Sequence, residues 1–171
     1  MQSRPGGDEY APYYSSYVRL VPDGDIIHIL MEQLEETIQL LQDISEEQSL
    51  FRYAEGKWSV KEVIGHVADT ERIMCYRLLC IARGEKVSLP GYDDNAYVLQ
   101  ASFDRLSIKE LIENLQIVRK STIQLLKGLE SNAWTRMGNA NGHEVSVRAL
   151  AYIIAGHERH HRQLLKERYL L

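Results

Sequence analysis

The sequence predicts an all-α fold, a four-helix bundle with a long crossover connection. Four stretches carry apolar residues at three- and four-residue spacing, helix-start signals stand ahead of three of them, and one connection is too long for a tight helical turn. Asp25 is a good N-cap, and Ile26, Ile27, Leu30, Leu34, Ile38 and Leu41 then mark a first helix reaching about residue 44. Residues 45–58 are mixed in character. Ser59 and Glu62 form a capping box ahead of Val60, Val63, Ile64 and Val67, which opens a second helix ending near Arg83, before Gly84.

From Glu85 to Leu106 the chain contains Pro90 and Gly91 and reads as the crossover, with one helical turn near Asp94 to Gln100. Ser107 and Glu110 repeat the capping box, and Leu111, Ile112, Leu115, Val118, Ile123 and Leu126 trace a third helix to about Glu130. Gly138 and Asn141-Gly142 place a turn or short hairpin between Arg136 and Glu144. Val147, Leu150, Ile154 and Leu165 return to helical spacing in a last helix ending near Tyr169. Residues 1–24, with three prolines and three glycines, form an N-terminal arm without expected regular structure, although Tyr10, Tyr13, Tyr14 and Tyr17 suggest that it packs onto something. The whole chain, 1–171, reads as a single domain.

Composition narrows the function. With 44% hydrophobic residues among 171, the chain supports one substantial core. Twenty Lys+Arg against 24 Asp+Glu give a net charge of -4, so no basic stripe awaits a phosphate backbone and nucleic acid is not an expected partner. No apolar run approaches the roughly 18–20 residues of a membrane span, and Met1 to Gly7 lacks the apolar core of a secretory signal. A cytoplasmic location follows as an expectation. Cys75 and Cys80 lie five apart in a helical pattern, turned about 140° from each other, and read as small apolar fillers rather than a disulfide.

The histidines are the specific feature. With Ile154 at zero and about 100° per residue, Leu150 and Leu165 bracket a buried stripe on the last helix. His161 falls at about -20° and His157 at about -60°, facing the core, whereas His160 falls at about -120° and reaches solvent or a partner. Two imidazoles one turn apart can converge on one ion. A third ligand must come from another helix, and His66, at the edge of the apolar arc of the second helix, suits that reach. Asp69, three residues on, either bonds a ligand imidazole or faces water. Asp93 and Asp94 read either as a rim of the site or as an ordinary turn and cap, Trp58 as a staple for the helix start, and His28 and His143 as surface residues.

Taken alone, these residues leave two readings open. One is a divalent-metal site with an open coordination position, serving a small-molecule substrate; the other is a metal-free helical scaffold with hydrogen-bonded core histidines, acting as a dimeric binding protein.

The string from Trp58 to Asp69 (W-S-V-K-E-V-I-G-H-V-A-D), the later P-G-Y-D-D-N-A-Y from Pro90, and the terminal G-H-E-R-H-H from Gly156 resemble the DinB-like superfamily, nearest its YfiT-like branch. The resemblance runs from about Gly24 to Glu167. It implies a four-helix bundle with one metal ion, zinc or nickel, held by His66, His157 and His161, and a homodimer. It also implies either a metal-dependent hydrolase or a transferase that activates a low-molecular-weight thiol for attack on a small electrophile. Asp69 is then the carboxylate expected to assist catalysis.

Overall fold

The computed structural model describes residues 3–169. A single 3-10 turn at Pro12–Tyr14 leads into α1 (Ser15–Leu20), followed by α2 (Ile26–Leu41), α3 (Glu46–Ser49), α4 (Val60–Ala82), α5 (Asp94–Ala101), α6 (Ile108–Lys127), the strands β1 (Met137–Ala140) and β2 (His143–Ser146), and α7 (Val147–Arg168). Among the described residues no helix is long and apolar enough to cross a membrane.

The four long helices begin where their side chains satisfy the first free amides. Asp25 accepts from the His28 amide at 3.0 Å, Ser59–Glu62 and Ser107–Glu110 close reciprocal boxes, and Ser146 caps α7. Each cap is worth about 1 kcal/mol. A further box, Ser45–Gln48, starts α3 inside the stretch that reads as mixed. Asn141 and Gly142, both with positive φ, make the tight turn of an antiparallel β1–β2 hairpin, as the Asn-Gly pair predicts.

Helix packing defines the topology. α4 packs on both α6 and α7, and α2 packs on the same two, so α2 and α4 face each other across one diagonal and α6 and α7 across the other. The steps across these diagonals fall in segments 42–59 and 128–146. The long connection, 83–107, joins the neighbours α4 and α6, and its length carries α5 and Tyr92 over the side of the bundle rather than across it.

The core is split. Leu30, Leu78, Ile81, Leu126, Leu150 and Ile154 belong to one apolar cluster, and Leu34, Val60, Ile64, Leu111, Leu115 and Leu165 to another. Between them lies a belt of buried polar groups supplied by all four long helices: Gln33 and Thr37, His66 and Glu71, Arg119 and Thr122, and His157, Glu158, His161 and Arg162.

The N-terminal arm departs from its expected irregularity, because tertiary contacts hold it. α1 lies along α7, where Gly156 lacks the Cβ that would stand 2.1 Å from the Tyr17 carbonyl oxygen. Val18 and Val21 are buried there, and Arg4 donates to their carbonyls at 2.7 and 2.6 Å, satisfying the open end of a short helix. Glu9 accepts from Ser146 and Arg148, each at 2.7 Å, and the Arg148 guanidinium holds its carboxyl down to about 2.

Candidate metal centre

His66 sits near the start of α4, and His157 and His161 lie one turn apart on α7. All three are buried, and one ring nitrogen from each falls within 4.8 Å of the others. The Nε2 atoms of His66 and His157 are 3.0 Å apart, and ring centroids in the cluster stand 4.5 to 4.9 Å from one another. Trp58 covers the cluster from the α4 side, 4.6 Å from the His66 ring, and Tyr17 from the arm meets the His157 ring edge-on at 5.5 Å.

Burial keeps these rings neutral. His66 is pushed down to about 4 by desolvation, and His157 and His161 fall well below the ordinary imidazole range through burial and then through their neighbouring histidines. Neutral rings present lone pairs, the form that binds a cation. Nitrogens about 2.0–2.1 Å from one ion stand ~2.9 Å apart at a right angle and ~3.3 Å apart at the tetrahedral angle, close to the His66–His157 separation. A single N–H···N bond also fits that pair, yet it leaves His161 Nδ1 buried without a hydrogen-bond partner. The donor set therefore fits a divalent ion of borderline character.

These shifts fix a pH dependence. In the unfolded chain the imidazoles take protons near 6.5, whereas folded His66 does so only near 4, so the unfolded state binds more protons between those values. The metal-free protein should lose stability as pH falls through that window, by up to about 1.4 kcal/mol per pH unit for each histidine. Urea midpoints at about pH 7.5 and about pH 5 measure it. The drop should shrink in a His157→Ala/His161→Ala variant; an equal drop in both proteins would rule out His157 and His161 as its source.

Around the cluster, Thr70 on α4 places its hydroxyl 3.5 Å from His66 Nδ1 and 2.7 Å from the Tyr92 hydroxyl. Asp69 is not brought to the histidines. Its carboxylate accepts from Arg72 at 3.0 Å on the partly exposed face of α4, while Thr70, one full turn after His66, is the side chain that reaches the ring. Asp93 caps α5 by accepting from the Ala96 amide, and Asp94 lines the cavity above the histidines. His160 is exposed at the cavity mouth, 5.4 Å from the Tyr17 ring.

The cavity has a volume of about 320 Å³, and Tyr14, Tyr17, Tyr92, Arg77 and Asn141 complete its wall. A larger hollow of about 610 Å³ between α4 and α6 is walled by Cys75, Tyr76, Leu79 and Ile117, with Arg72, Ser121 and Thr122 among its polar residues. Neither cysteine lines the histidine cavity.

Beside the site, about 100° round α7 from the histidines, lies a network that periodicity alone does not reveal. Arg119 is fully buried and donates to both carboxylate oxygens of Glu71, to Glu158 at 2.6 Å and to the Leu30 carbonyl at 2.9 Å. Glu158 also accepts from Thr37 at 2.6 Å and from Gln33, while Arg162 donates to the Gln33 carbonyl at 2.9 Å and pairs with Glu36. Glu158 and Arg162 directly follow His157 and His161, so the bonds that lock their face of α7 aim the imidazoles beside it.

The fold is a helical bundle in which three imidazoles turn inward beside a cavity. The family model of the DinB superfamily matches residues 29–165, and the chain belongs to that superfamily. An Oceanobacillus iheyensis protein provisionally named metal-dependent hydrolase OB0413 is 26% identical over 144 residues, covering 79% of this chain and 80% of its own. Among solved structures, YfiT from Bacillus subtilis, with its unusual four-helix bundle topology, matches at a TM-score of 0.72 and 15% identity over 96% of this chain and 93% of that one. The mycothiol-dependent maleylpyruvate isomerase matches at 0.66 and 14% over 82% of this chain and 59% of that one. At such identities the structural likeness establishes the fold.

Proposed function

We propose that His66, His157 and His161 hold one divalent metal ion, zinc or nickel, and that the chain is a metal-dependent enzyme attacking a small electrophilic substrate in the adjoining cavity. The observation that carries this reading is the convergence of three buried, neutral imidazoles, one with an orphaned nitrogen, on the floor of that cavity. When bound, such an ion supplies Lewis acidity that makes a deprotonated water or thiol available near neutral pH.

The chain's own groups do the rest. Three protein ligands would leave such an ion a position for water, thiol or substrate. Thr70, held by Tyr92, faces the far nitrogen of His66 and steadies its ring. Trp58 and Tyr17 shield the cluster from bulk water, and Asp94, in place of Asp69, is the carboxylate that faces the cavity and accepts a proton. Hydrolysis is the first reading, in keeping with the provisional name of OB0413. Transfer of a low-molecular-weight thiol is the second, favoured by the fold shared with a mycothiol-dependent isomerase.

Metal analysis after incubation with zinc and with nickel tests the proposal. Wild type should take up close to one equivalent per chain, His160→Ala should keep it, and His157→Ala/His161→Ala should lose it while retaining helicity, because the two apolar clusters hold the bundle. No uptake by wild type under either condition would leave the metal-free helical scaffold. Loss of metal in His160→Ala with retention in His161→Ala would move the third ligand to His160.

A further inference from the structure

Three arginines are buried among the described residues, and two of them meet carboxylates: Arg119 with Glu71 and Glu158, and Arg162 with Glu36. Arg77, only 3% exposed, has no carboxylate at ion-pair distance among the described residues. Its guanidinium donates to the Pro90 carbonyl at 2.6 Å and makes a long 3.5 Å contact with the Met74 sulfur, and it lies 5.9 Å from the centre of the Tyr92 ring. These are neutral partners, and they use two of its five N–H donors. A desolvated cation without a counter-charge is a standing electrostatic cost, and an arriving anion relieves it.

Arg77 lines the same cavity as the three histidines. Asp94, the carboxylate lining that cavity, is exposed, so water screens it, whereas the field of Arg77 acts through protein. The buried charge therefore sets the preference. At about 320 Å³ the cavity lies at the small end of ligand sites.

We propose that Arg77 anchors a carboxylate of the small molecule that occupies this cavity, turning the rest of that molecule toward the histidines. The planar guanidinium offers two parallel donors to two carboxylate oxygens, which fixes orientation as well as affinity. That the anion is the substrate rests on the reaction proposed above; its capture by Arg77 does not need the ion.

The test uses metal-free, chelator-treated full-length protein with benzoate as probe and benzamide as its neutral counterpart of the same shape. In wild type, benzoate should shift and saturate the Arg77 Nε–H and the His66 ring resonances, with benzamide at least about tenfold weaker. Arg77→Gln should weaken benzoate by about tenfold or more, and Arg77→Lys by less, since it keeps the charge and loses the fork. Equal binding of benzoate and benzamide, or an Arg77 shift with no histidine shift, overturns the assignment. The second outcome would place the anion in the neighbouring hollow beneath Pro90 and Tyr92, which Arg77 also lines. If Arg77→Gln fails to fold, the wild-type titration decides by itself. Metal uptake by the same preparation reports separately on the metal site, so the two failures are distinct.

Discussion

Replacing Arg119 with methionine should destabilise the protein by about 3–5 kcal/mol, the cost of leaving a buried ionic partner uncompensated. Arg119 is wholly buried, and the side chains of Glu71 and Glu158 are 2% exposed. Its positive charge, with Thr37 and Gln33, holds the Glu158 carboxyl below the ordinary range against the opposing effect of burial. Without it, the buried Glu158 carboxyl loses the charge that opposes its desolvation, and folding then favours its protonated form. The deficit of the variant should therefore be full near neutral pH and shrink as pH falls toward the unfolded carboxylate range. Urea unfolding of both proteins at about pH 7.5 and about pH 5 measures this. A deficit below about 1 kcal/mol at neutral pH would show that Glu71 and Glu158 find other partners. A variant in which Arg119, Glu71 and Glu158 all become apolar separates stability from alignment. It should regain most of the lost stability, since well-packed apolar groups replace buried ion pairs at little cost. Its metal affinity should remain roughly 10–100-fold below wild type, because only the Arg162 contacts then hold the rotation of α7 that aims His157 and His161.

Gly156→Ala should release the N-terminal arm while leaving the bundle folded. The new Cβ would stand 2.1 Å from the carbonyl oxygen and 2.4 Å from the carbonyl carbon of Tyr17. Those are backbone atoms, so no rotamer change relieves the clash and α1 must move away from α7. The helix itself gains about 1 kcal/mol from losing a glycine, which favours α7. Against that stands an overpacking cost of about 1–3 kcal/mol, confined to the docking of α1. Amide exchange in residues 3–24 should accelerate by roughly tenfold to a hundredfold, with global unfolding little changed. Tyr17 would leave the His157 ring and Tyr14 the cavity wall, so the histidine cluster should become accessible to diethyl pyrocarbonate at the same time. Unchanged exchange in the arm would mean that α1 shifts along α7 without undocking.

Much of this arrangement is written in local pattern. The four long helices follow from apolar stripes and from Asp25, Ser59, Ser107 and Ser146 as caps, because helix starts and amphipathic faces depend on residues within a few positions of each other. The same periodicity turns His157 and His161 inward and His160 outward. Thr70 was missed in favour of Asp69, since i+3 and i+4 both neighbour His66 on a helix and spacing alone does not choose between them. Arg77, Arg119 and Tyr17 were not legible. Each takes its role from a partner 13 or more positions away, such as Pro90 for Arg77 and Glu71 for Arg119, and a single sequence carries no mark of that pairing. The arm illustrates the same point, since six helical residues are too few to hold a helix alone and Gly156 supplies their seat.

The closure of the cavity by α1 has a consequence for biosynthesis. The arm that covers the histidines precedes His66 in the chain, and the helix carrying the other two follows it. A nascent chain that has emerged only through α6 carries His66 alone of the three, and its arm has no α7 to lie against. The cluster thus arises only once α7 packs on α4, and only then does the arm have a surface from which to cover it.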